Sequence, residues 1–266
     1  MKNQRSGKGA RLGQHFLTNV HFAAKLTEAV GVRTGETILE VGPGKGALTR
    51  ELLKRGPVIA VEKDGALVGA LQKTFADDIS SGNLRVVPED IRNISPETLG
   101  LQKYVVAANI PYYITGEIIR QFLTASVQPR AMALLVQKEV AERILARDKK
   151  ESILSLSVKV YGAPRIVAKV GRGNFSPPPS VDSAVLLISD ISRSRFANID
   201  EELFFKVVRA GFSSKRKFLA SNLSVFGKDA VAAAFASCGI PEKSRAEDIA
   251  LEQWLELSRC LDRESF

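Results

Sequence analysis

Five short apolar runs recur along the first half of the chain: Thr37-Ile38-Leu39-Glu40-Val41, Val58-Ile59-Ala60-Val61, Leu84-Arg85-Val86-Val87, Tyr104-Val105-Val106-Ala107-Ala108 and Ala131-Met132-Ala133-Leu134-Leu135-Val136. Near-continuous apolar runs of this length fit parallel strands buried on both faces. Between them the apolar spacing turns helical. Phe22, Leu26 and Val30 follow Asn19 as a candidate N-cap; Leu48 and Leu52 form the next helix; Leu67, Leu71 and Phe75 follow Asp64 as a cap; Ile114 opens a helix running to Phe122. Gln137–Ile144 begins an amphipathic helix. Ile153–Val158 and Arg165–Val170 alternate in part and read as later strands, and Ala184–Ile188 reads as the strand that closes the sheet. Alternating strands and helices predict an α/β domain with a mainly parallel sheet. From about Ile191 only helical spacing remains, at Leu203-Phe204-Val207-Val208, Phe218-Leu219-Leu223, Val231-Ala234-Phe235 and Trp254-Leu255-Leu257. The expected organisation is a flexible basic arm over 1–12, a ligand-binding α/β domain over 13–190 and a helical domain over 191–266. A helical piece of ~75 residues is small for a stable core of its own.

Composition narrows the partners. The 266 residues are 45% hydrophobic and 25% charged, a globular balance, with a net charge of +9. That excess suits a polyanion, nucleic acid above all. No apolar run approaches the 18 or so residues of a membrane span, and the N-terminus carries Lys2, Arg5, Lys8 and Arg11 without the apolar core of a secretory signal. The two cysteines, Cys238 and Cys260, lie near the end without metal-ligand spacing, and the two histidines, His15 and His21, have no ligand cluster around them. The expectation is a cytoplasmic protein with reduced thiols, no metal and a monomeric state. Between residues 138 and 172 nine Lys or Arg stand against four acids, and Lys215-Arg216-Lys217 is the densest basic cluster, so both are candidate phosphate-facing surfaces.

The chemistry gathers at the carboxyl ends of the predicted strands, where open α/β sheets bind ligands. The first strand runs into Gly42-Pro43-Gly44-Lys45-Gly46 and then a helix, a nucleotide-binding turn whose missing β-carbons admit a ligand close to the backbone. Such a loop serves NAD, FAD or S-adenosylmethionine. Glu40 inside the strand end and Glu62, 16 residues beyond Gly46, favour the last. A carboxylate at Glu62 can accept both ribose hydroxyls. There is no Gly-Lys-Ser/Thr to cradle a hydrolysable triphosphate. Asp90 follows the third strand, placed to accept from an adenine amino group. The fourth strand ends in Asn109-Ile110-Pro111-Tyr112, which combines an amide, a rigid proline corner and a stacking ring. Phe175-Ser176-Pro177-Pro178-Pro179 is a stiff polyproline segment that would present Phe175 on a rigid loop.

Seven stretches together resemble the ribosomal RNA small-subunit adenine dimethyltransferases: Gly13–Leu17, Leu39–Gly46, Val61–Asp64, Asp90-Ile91, Asn109–Thr115, Leu135–Val140 and Phe175–Ala184. The spacing holds from residue 11 to about 260. The resemblance implies a Rossmann-like methyltransferase sheet of seven strands, six parallel and one antiparallel, with a C-terminal helical domain. It implies that His15 and Leu17 line an S-adenosylmethionine pocket, His15 standing where relatives often carry Asn. By the same resemblance Gly42 approaches the methionine portion, Glu62 the ribose and Asp90 the adenine, Gly44 also binds the cofactor, and Asn109, which binds it too, reaches the space between cofactor and target. Asn109, Ile110, Pro111 and Tyr112 would hold the target adenine, Phe175 would cover its other face, and Lys215, Arg216 and Lys217 would meet RNA. The implied activity is dimethylation of adenine N6 in 16S rRNA on small-subunit precursors. Two readings stay beside it: a large-subunit 23S rRNA adenine methyltransferase with the same motifs, and a non-catalytic ribosome-assembly factor on the same scaffold.

Overall fold

A computed structural model describes residues 15–263, so the expected basic arm over 1–12 lies outside the described residues. The predicted strands form as β2 (Thr37–Val41), β3 (Val58–Glu62), β4 (Leu84–Pro88), β5 (Tyr104–Asn109) and β6 (Met132–Gln137), preceded by a short β1 (Phe16–Leu17). β7 (Ala163–Val170), β8 (Phe175–Ser176) and β9 (Ser183–Ser189) follow. Seven of these make one sheet in the order β4-β3-β2-β5-β6-β9-β7. The pairs from β4 to β6 are parallel, and β9 runs antiparallel to both neighbours, which leaves β7 parallel to the rest. Ala184–Ile188 therefore does not close the sheet. Leu186 faces Leu134 on one side and Ile166 on the other, so β9 is interior and β7 forms the edge. The burial pattern explains the placement: β9 is buried from Ser183 to Ile188, whereas β7 alternates and carries Arg165 and Lys169 toward solvent, as charged edge strands do.

The helices begin where the caps predict. In α1 (Val20–Val30), Asn19 accepts from the His21 amide and Gly31 ends the helix in the left-handed region. Asp64 accepts from the Ala66 and Leu67 amides to open α3 (Gly65–Thr74), which follows α2 (Ala47–Leu52). The short α4 (Ala76–Ser80) follows, then α5 (Thr115–Leu123) and α6 (Lys138–Leu145). The C-terminal end of α1 is tied to the sheet by Arg130, whose Nε and Nη2 donate to Glu36 Oε1 and Oε2 at 2.6 and 2.9 Å while Nη2 also donates to Gly31 O at 2.7 Å. That partnership holds the Glu36 carboxyl below its ordinary value.

Ile153–Val158 is not a strand. It forms α7 (Ile153–Lys159), opened by a capping box in which Ser152 Oγ accepts from the Ser155 amide and Ser155 Oγ accepts from the Ser152 amide. The alternation of Leu and Ser suits either structure locally, and the cap decides.

The described residues form two compact units. One holds residues up to Ala141 with Ala163–Ile191; the other holds Glu142–Gly162 with the chain from Ser192 onward. The chain makes its last crossing between Ile191 and Ser192. The second unit also takes residues 142–162, which fall inside the span 13–190 expected for the α/β domain. The reason is aromatic: Tyr161 packs against Phe196 and Phe205 with ring centroids 5.4 and 6.1 Å apart. This helical unit also contains α8 (Glu201–Gly211), α9 (Leu219–Asn222), α10 (Lys228–Cys238) and α11 (Leu251–Arg263). Trp254, fully buried, fits against Gly211 so closely that a β-carbon there would lie 2.4 Å from its ring.

Candidate active site

The carboxyl ends of β2, β3, β4 and β5 surround one cleft. His15, Leu17, Gly42, Gly44, Glu62, Asp90, Asn109, Ile110, Pro111 and Tyr112 all line it. Ten of the residues singled out from sequence are thus brought together. Phe175 is not among them. It pairs with Leu17 across the β1–β8 ribbon and is 4% exposed within the apolar core. Its expected place on a rigid presenting loop is therefore corrected: an apolar ring on a paired strand goes to the core. Lys215, Arg216 and Lys217 lie in the second unit, all three exposed in the turn after α8.

Asn109 is held by its amide nitrogen. Nδ2 donates to the His15 backbone carbonyl at 2.9 Å. A carbonyl only accepts, so the NH2 must face it, and Oδ1 is left as a free acceptor among the described residues. His15 acts here through its backbone. Its ring stacks on Tyr112 with centroids 5.7 Å apart and planes 29° from parallel, and Nδ1 donates to Pro177 O at 2.9 Å. The Tyr112 hydroxyl is hydrogen-bonded to Ser183 Oγ at 2.7 Å, and burial pushes its pKa up, so it stays protonated. One face of the Tyr112 ring is thus taken by His15 and the ring is anchored at its far end to β9.

Glu62 is 4% exposed, and its carboxylate accepts from two backbone amides, Gly44 to Oε2 at 3.1 Å and Asp64 to Oε1 at 3.0 Å. About half of its lone-pair positions remain for a vicinal diol. Gly44 has φ +58, and a β-carbon there would sit 2.8 Å from the Phe16 ring. Lys45 Nζ lies 5.0 Å above the same ring. Asp90 differs from its expected role as an open acceptor. Arg92 takes both its oxygens, Nε to Oδ1 at 3.0 Å and Nη2 to Oδ2 at 2.7 Å, and the Arg92 amide donates to Oδ1 as well. This guanidinium holds the Asp90 carboxyl down to about 2, leaving about one lone-pair position open. Arg92 was not singled out in the sequence. Its two-residue offset from Asp90, Asp-Ile-Arg across a single turn (Ile91–Asn93), is the signal that could have found it. Phe16, Lys63 and Ile91 also line the cleft without having been assigned a role.

Beneath the glycine loop Glu40 is 1% exposed. Thr49 Oγ1 donates to its Oε2 at 2.7 Å, while Oε1 has no partner. Burial pushes its pKa up to about 8. A folded-state value above the unfolded one means that the unfolded chain releases the proton first as pH rises. Glu40 therefore costs stability progressively between about pH 4.5 and 8 and by a constant amount above. The Glu40→Gln variant, which keeps a neutral side chain, is expected to gain on the wild type across that window; urea unfolding at pH 5 and at pH 8.5 measures it, and a constant difference would mean that Glu40 titrates normally.

A mixed seven-stranded sheet with one antiparallel strand, a glycine loop after β2, an acid at the end of β3 and Asn-Ile-Pro-Tyr at the end of β5 define a Rossmann-like methyltransferase fold. Residues 6–263 match the family model described as ribosomal RNA adenine dimethylase. The chain belongs to that family. A ribosomal RNA small subunit methyltransferase A from Dehalococcoides mccartyi is 42% identical over 257 residues, covering 94% of this chain and 87% of the relative. One of the same name from Moorella thermoacetica is 38% identical over 94% of this chain and 91% of its own. Among solved structures, a dimethyladenosine transferase from Plasmodium falciparum matches with TM-score 0.78 and 25% identity, over 91% of this chain and 96% of that one. The 23S rRNA methyltransferase ErmE matches with TM-score 0.76 and 26% identity, over 93% and 99%.

Proposed function

We propose that this chain transfers methyl groups from S-adenosylmethionine to N6 of adenines in small-subunit 16S rRNA, giving N6,N6-dimethyladenosine during ribosome assembly. The observation that carries it is the orientation of Asn109, whose Nδ2 is committed to the His15 carbonyl so that Oδ1 remains an acceptor. The cleft fits the cofactor. Gly44 lies in the left-handed region beside Glu62, and the buried Glu62 keeps acceptor capacity for ribose hydroxyls. Gly42, with only one backbone atom as near as 3.9 Å to where a β-carbon would be, leaves room for a close approach. When bound, the cofactor supplies a methyl group already activated on a sulfonium.

What the chain must do is align the amine. Asn109 Oδ1 and the Ile110 carbonyl accept the two amino hydrogens, which draws the nitrogen lone pair out of conjugation with the ring. Pro111 fixes the corner that sets their spacing. Tyr112 offers its open face to the base, a stack worth ~1–3 kcal/mol. Alignment supplies most of the rate, and no strong base is needed because the proton is lost during or after transfer. The target base must leave any stack to reach the cleft.

The 23S reading shares these motifs, and the fold likeness to ErmE does not separate the two. The 38–42% identity to proteins named for the small subunit favours 16S rRNA. Labelling unmethylated 30S and 50S particles with methyl-labelled cofactor tests it: label on 30S adenines is expected, and label confined to 50S would overturn the reading. We also propose a monomer acting in the cytoplasm; no helix among the described residues is long and apolar enough to cross a membrane. The exposed Lys215-Arg216-Lys217 turn supports a phosphate contact. Neutralising all three is expected to weaken binding to 30S particles and to flatten the salt dependence by about one unit of slope per lost phosphate contact; titrations at several salt concentrations read both.

A further inference from the structure

Tyr113 stands outside the cleft that its neighbours build. Residues Tyr112–Ile114 form a single 3-10 turn, in which successive side chains point about 120° apart. Tyr112 and Ile114 both line the cleft, and Tyr113 is thereby sent outward, 62% exposed. Single exposed aromatics are ordinary. This one has company: Lys63, which lines the cleft, places Nζ 3.4 Å from the Tyr113 hydroxyl. Other charged groups share the neighbourhood, Glu89 beside Asp90 among them. Arg92 is committed to Asp90 by two parallel hydrogen bonds, and Glu117 lies within electrostatic reach of Arg92. Lys63 is only loosely engaged, with Nζ 3.9 Å from Asp90 Oδ2. Its ammonium keeps donors to spare. The mouth of the cleft thus carries a flat, exposed ring and a cation beside it.

A base drawn into the cleft remains bonded to a neighbour through a phosphate, and that linkage must leave over the rim. We propose that Tyr113 and Lys63 form a subsite for the nucleotide adjacent to the target adenine, the ring stacking on its base and the ammonium meeting its phosphate. This rests on the RNA-adenine reading above and deepens it. Stacking tolerates any base and phosphate contacts position without selecting sequence, so the subsite sets how well the strand is held. Tyr113 is a positioning residue, whose loss shows in KM for RNA and not in kcat.

The test uses the full chain as wild type, Tyr113→Ala and Tyr113→Phe, with unmethylated small-subunit particles. Tyr113→Ala is expected to raise KM for the particle about 5- to 150-fold, the equivalent of one base stack, with kcat nearly unchanged; Tyr113→Phe should behave as wild type. Calorimetry with S-adenosylmethionine should give one affinity for all three. A single-stranded oligoribonucleotide with 2-aminopurine next to its one adenosine should be quenched on binding wild type or Tyr113→Phe, and not Tyr113→Ala. An unchanged KM and quench in Tyr113→Ala overturns the subsite. So does a Tyr113→Phe defect equal to that of Tyr113→Ala, which would assign the effect to the hydroxyl, or a parallel fall in cofactor affinity, which would assign it to the cleft's architecture. Should the wild type label only 50S particles, the 16S reading fails while the KM comparison on that RNA still scores Tyr113. The quench needs no methyl transfer and scores it in every case.

Discussion

Asn109→Ala is expected to lower methyl transfer by about 10²–10³-fold, the scale of losing one preorganised polar contact to the reacting group, while S-adenosylmethionine binds nearly as before. The side chain is fixed by a single hydrogen bond from Nδ2 to the His15 carbonyl at 2.9 Å, and the neighbouring carboxylates Glu62 and Asp90 have partners of their own. Truncation therefore removes an acceptor for the amine without loosening the rest of the cleft. Asn109→Asp is the informative companion. It keeps an oxygen toward the amine but sets another against the His15 carbonyl, acceptor facing acceptor, so its rate should fall too. Single-turnover methylation with calorimetry for the cofactor measures both; a rate within twofold of wild type for either variant would remove the amide's orientation from the mechanism.

Gly44→Ala is expected to damage binding and turnover together. The residue has φ +58, a region costing an L side chain about 1–2 kcal/mol, and the new carbon would fall 2.8 Å from the Phe16 ring. An aromatic ring cannot yield as a flexible chain end does, so overpacking adds about 1–3 kcal/mol. Phe16 adjoins His15, whose carbonyl holds Asn109. A shift in β1 thus reaches the amide, and the rate should fall even at saturating cofactor. Gly69→Ala in α3 is the control. It is exposed, with nothing within 4 Å of its added carbon, and should stabilise by roughly 0.5–1 kcal/mol. Urea unfolding and cofactor titration compare the two; equal midpoints would show that the loop tolerates the clash.

The strand ends were legible because their signals are local. An apolar run, then glycines, Glu62 or Asn109, places each group at the carboxyl end of a strand without knowledge of its partners. Caps at Asn19 and Asp64 were legible for the same reason, since each bonds its own next turn. What escaped depends on distance along the chain. Ser-Pro-Pro-Pro after Phe175 suggests a presented ring, but its burial comes from pairing with Leu17. The interior place of β9 depends on both flanking strands. Residues 142–162 join the helical unit through the packing of Tyr161 on Phe196 and Phe205. In α7 the signal is local but shared by two structures: Leu-Ser alternation fits a strand as well as a helix, and the mutual capping of Ser152 and Ser155 decides.

The β1–β8 ribbon also sets when activity can begin. Phe16 pairs with Ser176 and the His15 ring bonds Pro177, 162 residues further on. At about 5–20 residues per second of synthesis, roughly 8–30 s separate the two halves of that ribbon. A nascent chain therefore has its glycine loop, Glu62 and Asp90 well before the segment that secures His15, and with it Asn109, has been made. The ribbon, and the His15–Pro177 bond that holds His15 beside Asn109, can form only once translation has passed Pro177.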